Sequence, residues 1–87
     1  MTRPRRAEGL TILANSRCAH CCQAVDHLTD WAVEESLPVA GLDLWAHPEA
    51  GAWVNAEHSP VLVFEGPKAR VHVGMPSHAE FHRLVGA

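Results

Sequence analysis

Apolar positions along the chain recur with two different periods, and the switches between them outline seven elements. Residues 9–14 hold Leu10, Ile12 and Leu13 between polar flanks, which predicts a short buried strand. From 18 to 35 the spacing becomes helical: Cys21, Val25, Leu28 and Ala32 form a stripe that Ala24 and Trp31 widen, with Asp26, Asp30 and Glu34 on the opposite side. Asn15 and Ser16 offer capping side chains before this helix, and Pro38 lies beyond its end, where it would stop it. Residues 39–45 alternate through Leu42, Asp43, Leu44 and Trp45 as a second strand, which a βαβ connection of this length makes parallel to the first.

His47-Pro48-Glu49 reads as a helix start, since proline suits a first turn. A short helix is expected over 48–57, with Trp53, Val54 and Ala56 available for packing and Gly51 weakening it. The continuous apolar run 61–64 predicts a strand covered on both faces. A turn at Gly66-Pro67-Lys68 leads to alternating Ala69, Val71 and Val73, and so to a hairpin. Gly74 breaks the alternation, and Ser77 with Glu80 forms a capping box for a last helix whose apolar face is Phe81, Leu84 and Val85. The order β-α-β-α-β-β-α describes an α/β domain with a four-stranded mixed sheet flanked by helices. Repeats, low-complexity runs and linkers are absent.

Composition narrows the classes. The 87 residues, 47% hydrophobic and 20% charged, suit one small globular domain with a modest core, here residues 9–87. Residues 1–8, with Arg3, Arg5 and Arg6, are expected to be a flexible tail. A net charge of −3 favours neither nucleic acid nor an anionic membrane as a partner. No apolar run approaches the ~18 residues of a membrane span, and the start of the chain lacks the signal-peptide pattern. The 3 cysteines fall within five positions, which rules out a scaffold of distant disulfides and favours chemistry in a reducing compartment. The cytoplasm is the expected location and a monomer the expected state.

That chemistry centres on Cys18-Ala19-His20-Cys21, placed where the first strand passes into the first helix. A helix N-terminus lowers a thiol pKa through its free amides and dipole, and the thiolate is the nucleophile. Cys21 lies one turn on, able to attack a mixed disulfide formed at Cys18. A CxxC in this setting reads as a thioredoxin-like redox pair. Arg17 beside the first thiol is a candidate tuner of its pKa. Cys22 is expected to be a small buried side chain.

With these residues in view, the chain resembles the glutaredoxins and small thioredoxin-fold proteins, above all bacterial glutaredoxin-like proteins. The features that carry the resemblance are Cys18-Ala-His-Cys21 after the first strand, Leu42-Asp43-Leu44 leading into His47-Pro48-Glu49, Ser59-Pro60-Val61-Leu62-Val63-Phe64, and Gly74 before the last helix. It spans residues 10–86 and implies a thioredoxin-like fold of glutaredoxin type. It also implies a cis Pro60 facing the cysteines, with the Ser59 backbone holding an extended substrate. By analogy with periplasmic disulfide oxidants, His20 would stabilise the reduced thiolate. The chain departs from these families in having no tyrosine, Arg17 where thioredoxins carry tryptophan, and Ile12 where they carry a buried aspartate. The electron donor is therefore left open.

The expected activity is thiol–disulfide oxidoreduction of protein or low-molecular-weight disulfides, with an external thiol reductant and no cofactor. The alternative is a zinc or iron–sulfur carrier using Cys18, His20, Cys21 and Cys22, with His58 as a further ligand. His78 and His82, four residues apart on the last helix, could chelate a metal as a pair; with no third ligand evident, a solvated face is the expectation. Trp31, Trp45 and Trp53 are expected to pack in the core or at its rim. Asp43 reads as a strand-end carboxylate rather than a proton acceptor for Cys21.

Overall fold

The computed structural model describes residues 6–52, 60–67 and 69–86. Strand β1 (Gly9–Ala14) lies at the interior of a four-stranded sheet ordered β2-β1-β3-β4. It pairs in parallel with β2 (Val39–Asp43), with Leu10 opposite Val39 and Ala14 opposite Asp43. On its other side it runs antiparallel to β3 (Val61–Glu65), which in turn forms a hairpin with β4 (Arg70–Val73). The sheet is therefore mixed, as the order of predicted elements requires.

Helices α1 (Ala19–Glu34) and α2 (His78–Gly86) share one core with the sheet. Leu28 and Ala32 of α1 and Phe81 and Val85 of α2 meet Leu10, Ile12, Leu62 and Phe64, all nearly devoid of solvent contact. The Phe81 ring sits 5.9 Å from Phe64 and 5.6 Å from Trp31, tilted in both cases, so aromatic packing joins the two helices to the sheet. A second, smaller cluster, Leu13, Leu44 and Val61 with Leu42, Ala50 and Val63 around it, forms where the odd-numbered side chains of β1 point the other way. Among the described residues no helix is long and apolar enough to cross a membrane.

Four expectations need correction. The second strand ends at Asp43, because residues 44–46 turn and bury Leu44. The helix expected over 48–57 is, in its described part, a short 3₁₀ turn, Pro48–Gly51. Pro48 sets its first position, but His47 provides no side-chain cap to hold a full α-turn. Trp53, Val54 and Ala56 lie outside the described residues. At the start of the chain, residues 6–8 are tied down: Ala7 N donates to Val85 O (2.8 Å), Glu8 N to Glu65 O (2.7 Å), and Ala7 is buried in the main core. Residues 1–5 of the expected tail lie outside the described residues.

Helix α1, fourthly, does not stop at Pro38. Pro38 follows the helix, yet the chain has already turned at Ser36, whose φ of 54° is left-handed. Ser36 N donates to Val33 O (3.0 Å) and Leu37 N to Ala32 O (2.8 Å), the paired bonds of a Schellman motif, with Leu37 buried behind them. Serine has a Cβ that disfavours this backbone, and glycine does not. Ser36→Gly should therefore raise the unfolding free energy by about 1 kcal/mol in equilibrium urea denaturation; an unchanged or lowered midpoint would mean that the turn is not strained.

Candidate functional site

The turn from β1 into α1 is held from three directions. Asn15 Oδ1 accepts Arg17 N (2.8 Å), an Asx turn that reverses the chain, and Asn15 O accepts Cys18 N (3.0 Å). Asp43, at the end of the neighbouring parallel strand, accepts Ser16 N (3.0 Å), Ser16 Oγ (2.8 Å) and Trp45 N (3.0 Å). The Ser16 bonds, backbone then hydroxyl, with the Trp45 amide, hold the Asp43 carboxyl below its usual range. Asp43 is a strand-end carboxylate as expected, and it also braces the cysteine loop, which sequence reading missed. The register of β1 and β2 is the signal: once Ala14 faces Asp43, the residues just after Ala14 must pass beside that carboxylate.

Neither Asn15 nor Ser16 caps the helix. The N-cap is Cys18, in extended conformation (φ −106°, ψ 109°), and its Sγ accepts Cys21 N at 3.3 Å. Sulfur thus occupies the place that serine, threonine or aspartate usually takes. The Cys21 thiol, the Cys21 amide and, more weakly, the His20 amide lower the Cys18 pKa from the ordinary 9.0, against a smaller opposing effect of burial. Cys21, on the inner face of the first turn, is buried. Burial first, then the hydrogen bond from its thiol to Cys18 and the charges of Cys18 and Cys22, push its pKa up. The two thiols are chemically unequal: a half-buried one whose pKa is lowered and a buried one whose pKa is raised.

The candidate tuning side chains are placed differently. The Arg17 guanidinium lies over the Trp45 ring, 4.5 Å from its centroid. His20 acts through its backbone amide, and its side chain is exposed. Cys22, expected to be buried, is exposed, with Sγ 3.7 Å from Ser16 O. Pro60 is fully buried and immediately precedes β3. Since Val61 pairs with Leu13, Pro60 lies at the end of the sheet where β1 runs into the cysteine loop. Its O accepts Gly74 N (2.8 Å), and the φ of 100° at Gly74 is one that glycine alone adopts without strain. Ser59, the Ser59–Pro60 peptide bond and His58 lie outside the described residues.

As for metal, Cys18, His20, Cys21 and Cys22 do not bring three ligand atoms together; among the described residues only Glu34, His78 and His82 do. Residues that follow one another through a single helical turn point in diverging directions, which explains the failure. Trp31 is half-buried between α1 and α2, Trp45 is exposed beneath Arg17, and Trp53 is outside the described residues. No family model matches the chain, and no curated protein or solved structure shows significant similarity to it.

If sulfur is the helix cap, replacing it with another acceptor should be tolerated and removing the acceptor should not. Cys18→Ser should melt at or above the wild-type temperature and Cys18→Ala below both, by circular dichroism under reducing conditions. Equal melting of the serine and alanine variants would mean that Sγ does not cap α1.

Proposed function

We propose that this protein is a thiol–disulfide oxidoreductase with a thioredoxin-like fold of glutaredoxin type, acting in a reducing compartment such as the cytoplasm. The observation that carries the reading is the inequality of Cys18 and Cys21, one thiol accepting a helix amide with its pKa lowered, the other buried with its pKa raised. The mixed sheet with both helices on one face, and Pro60 at the sheet end beside the cysteine loop, are compatible with that fold.

In the proposed cycle the Cys18 thiolate attacks one sulfur of a substrate disulfide. The substrate S–S bond breaks, its second sulfur leaves as a thiolate that takes a proton, and a mixed disulfide forms at Cys18. Loss of charge at Cys18 removes both its hydrogen-bond demand and its repulsion, two of the effects that hold Cys21 protonated. The Cys21 thiol then gives up its proton, attacks Cys18 Sγ and releases the reduced substrate. Two electrons have passed to the substrate, and the Cys18–Cys21 disulfide is reduced again by an external thiol. The resemblance to glutaredoxins assigns the hold on the extended substrate to the backbone at Ser59–Pro60.

The Cys21 thiol and the amides that lower the Cys18 pKa stabilise the reduced protein over the disulfide, and so raise its reduction potential. Substrates are protein or low-molecular-weight disulfides.

Cys21→Ser should trap a mixed disulfide with a small disulfide such as oxidised glutathione or hydroxyethyl disulfide, located at Cys18 by mass-resolved alkylation. Cys18→Ser should abolish turnover, and Cys22→Ser should leave it unchanged. Adducts only at Cys22, or a wild-type protein that forms no reversible Cys18–Cys21 disulfide in a redox buffer, would overturn the proposal.

A further inference from the structure

At the far end of α1, roughly 22 Å from its cysteine end at 1.5 Å per residue, the Schellman turn leaves Glu34 and Glu35 beside α2. Glu34 Oε1 is 2.8 Å from His78 Nε2 and 4.0 Å from His82 Nε2, and the two Nε2 atoms are 3.0 Å apart. The second histidine nitrogen of His82, Nδ1, is 2.9 Å from Glu35 Oε1. Arg6 Nη1 lies 3.7 Å from the other Glu35 oxygen, and Arg6 also donates to the Glu35 carbonyl. The His78 ring stacks on Trp31, with centroids 4.8 Å apart.

Proton bookkeeping shows what this arrangement lacks. Facing a carboxylate, His82 Nδ1 donates, so in neutral imidazole Nε2 carries a lone pair. A single proton on His78 Nε2 must then serve two acceptors, Glu34 Oε1 and His82 Nε2. A cation at their centre would serve all three lone pairs at once.

We propose that Glu34, His78 and His82 form a binding site for a divalent late first-row transition ion, with zinc as the type ion. Two imidazole nitrogens and one carboxylate oxygen are the donor set such ions take. Tetrahedral zinc with bonds of about 2.0–2.1 Å sets ligand atoms about 3.3 Å apart, and the three observed separations, 2.8, 3.0 and 4.0 Å, bracket that value. Glu35 is the positioning residue: it fixes the His82 tautomer that presents Nε2, as outer carboxylates do for metal-bound histidines. The ligand side chains are 41–52% exposed, so a fourth position is left to water or a small anion. The ion joins the end of α1 to the start of α2, and the site is independent of the cysteine pair.

The pair His78 and His82 was visible in the sequence as a chelate without a third ligand. The third comes from residue 34, far away in the chain, and only the packing of α1 against α2 supplies it.

The test is cobalt(II) titration of the reduced full-length protein, where ligand type is read from the spectrum. Bands of nitrogen and oxygen ligation should saturate at one equivalent, separate from any thiolate-to-cobalt charge-transfer band at the cysteines. His78→Ala and His82→Ala should each abolish these bands, and Glu35→Gln should weaken binding by about tenfold. In parallel, zinc should raise the melting temperature of a Cys18→Ser/Cys22→Ser protein but not of the same protein carrying His78→Ala. Nitrogen and oxygen bands that survive either histidine substitution, their absence from the wild type, or a zinc-induced rise in melting that persists without His78 would overturn the proposal.

Discussion

The first turn of any helix leaves backbone amides without partners, and in this protein one of those at the start of α1 is satisfied by the sulfur of Cys18. The rest of the site depends on that bond. It requires the extended conformation of Cys18, which the Asx turn at Asn15 and the Asp43 brace produce by fixing the three residues before it. It points Sγ back over its own first turn, toward the amides and the Cys21 thiol that favour its ionised form. It also places Cys21 one turn on, facing the core, where burial raises its pKa. The two thiols are thus set apart by the Cys21 thiol and the backbone amides that act on Cys18, and by the burial of Cys21.

Much of this was legible in the sequence because it rests on local patterns. The short apolar run at Leu10, Ile12 and Leu13, the helical stripe through Leu28 and Ala32, and the Ser77 cap of α2, whose Oγ accepts Glu80 N, all fold where the sequence pattern puts them. What could not be read depends on residues brought together from a distance. Asp43 supports Ser16 only because β1 and β2 are in register, and the end of α1 depends on Leu37 finding the core before Pro38 can act. Short-range signals misled in two places. Asn15 and Ser16 are good capping residues, but the Asx turn and Asp43 use them first. Cys22, a small residue beside a buried one, falls one position round the helix and so faces solvent.

The two ends of α1 show how a single helix can carry two different arrangements. Its N-terminus gathers backbone donors around a sulfur, and its C-terminus gathers side-chain lone pairs from two helices around Glu34. Between them the buried face of Cys21, Ala24, Leu28 and Ala32 fixes the helix against the sheet, so that both ends are positioned by the same core. Trp31 and Phe81 complete that link, since the same pair that packs α1 on α2 also stacks the His78 ring.

What the site rests on is the inequality of its two thiols, set by the hydrogen bonds to Cys18 and the burial of Cys21. Its most direct test is a pH titration of the reduced protein followed by the ¹³Cβ resonances of Cys18 and Cys21. Cys18 should titrate below the ordinary thiol value of 9.0 and keep its thiolate until the pH falls through that lowered midpoint, while Cys21 should titrate above 9.0. Two resonances that move together at the ordinary value, or Cys21 ionising before Cys18, would contradict it.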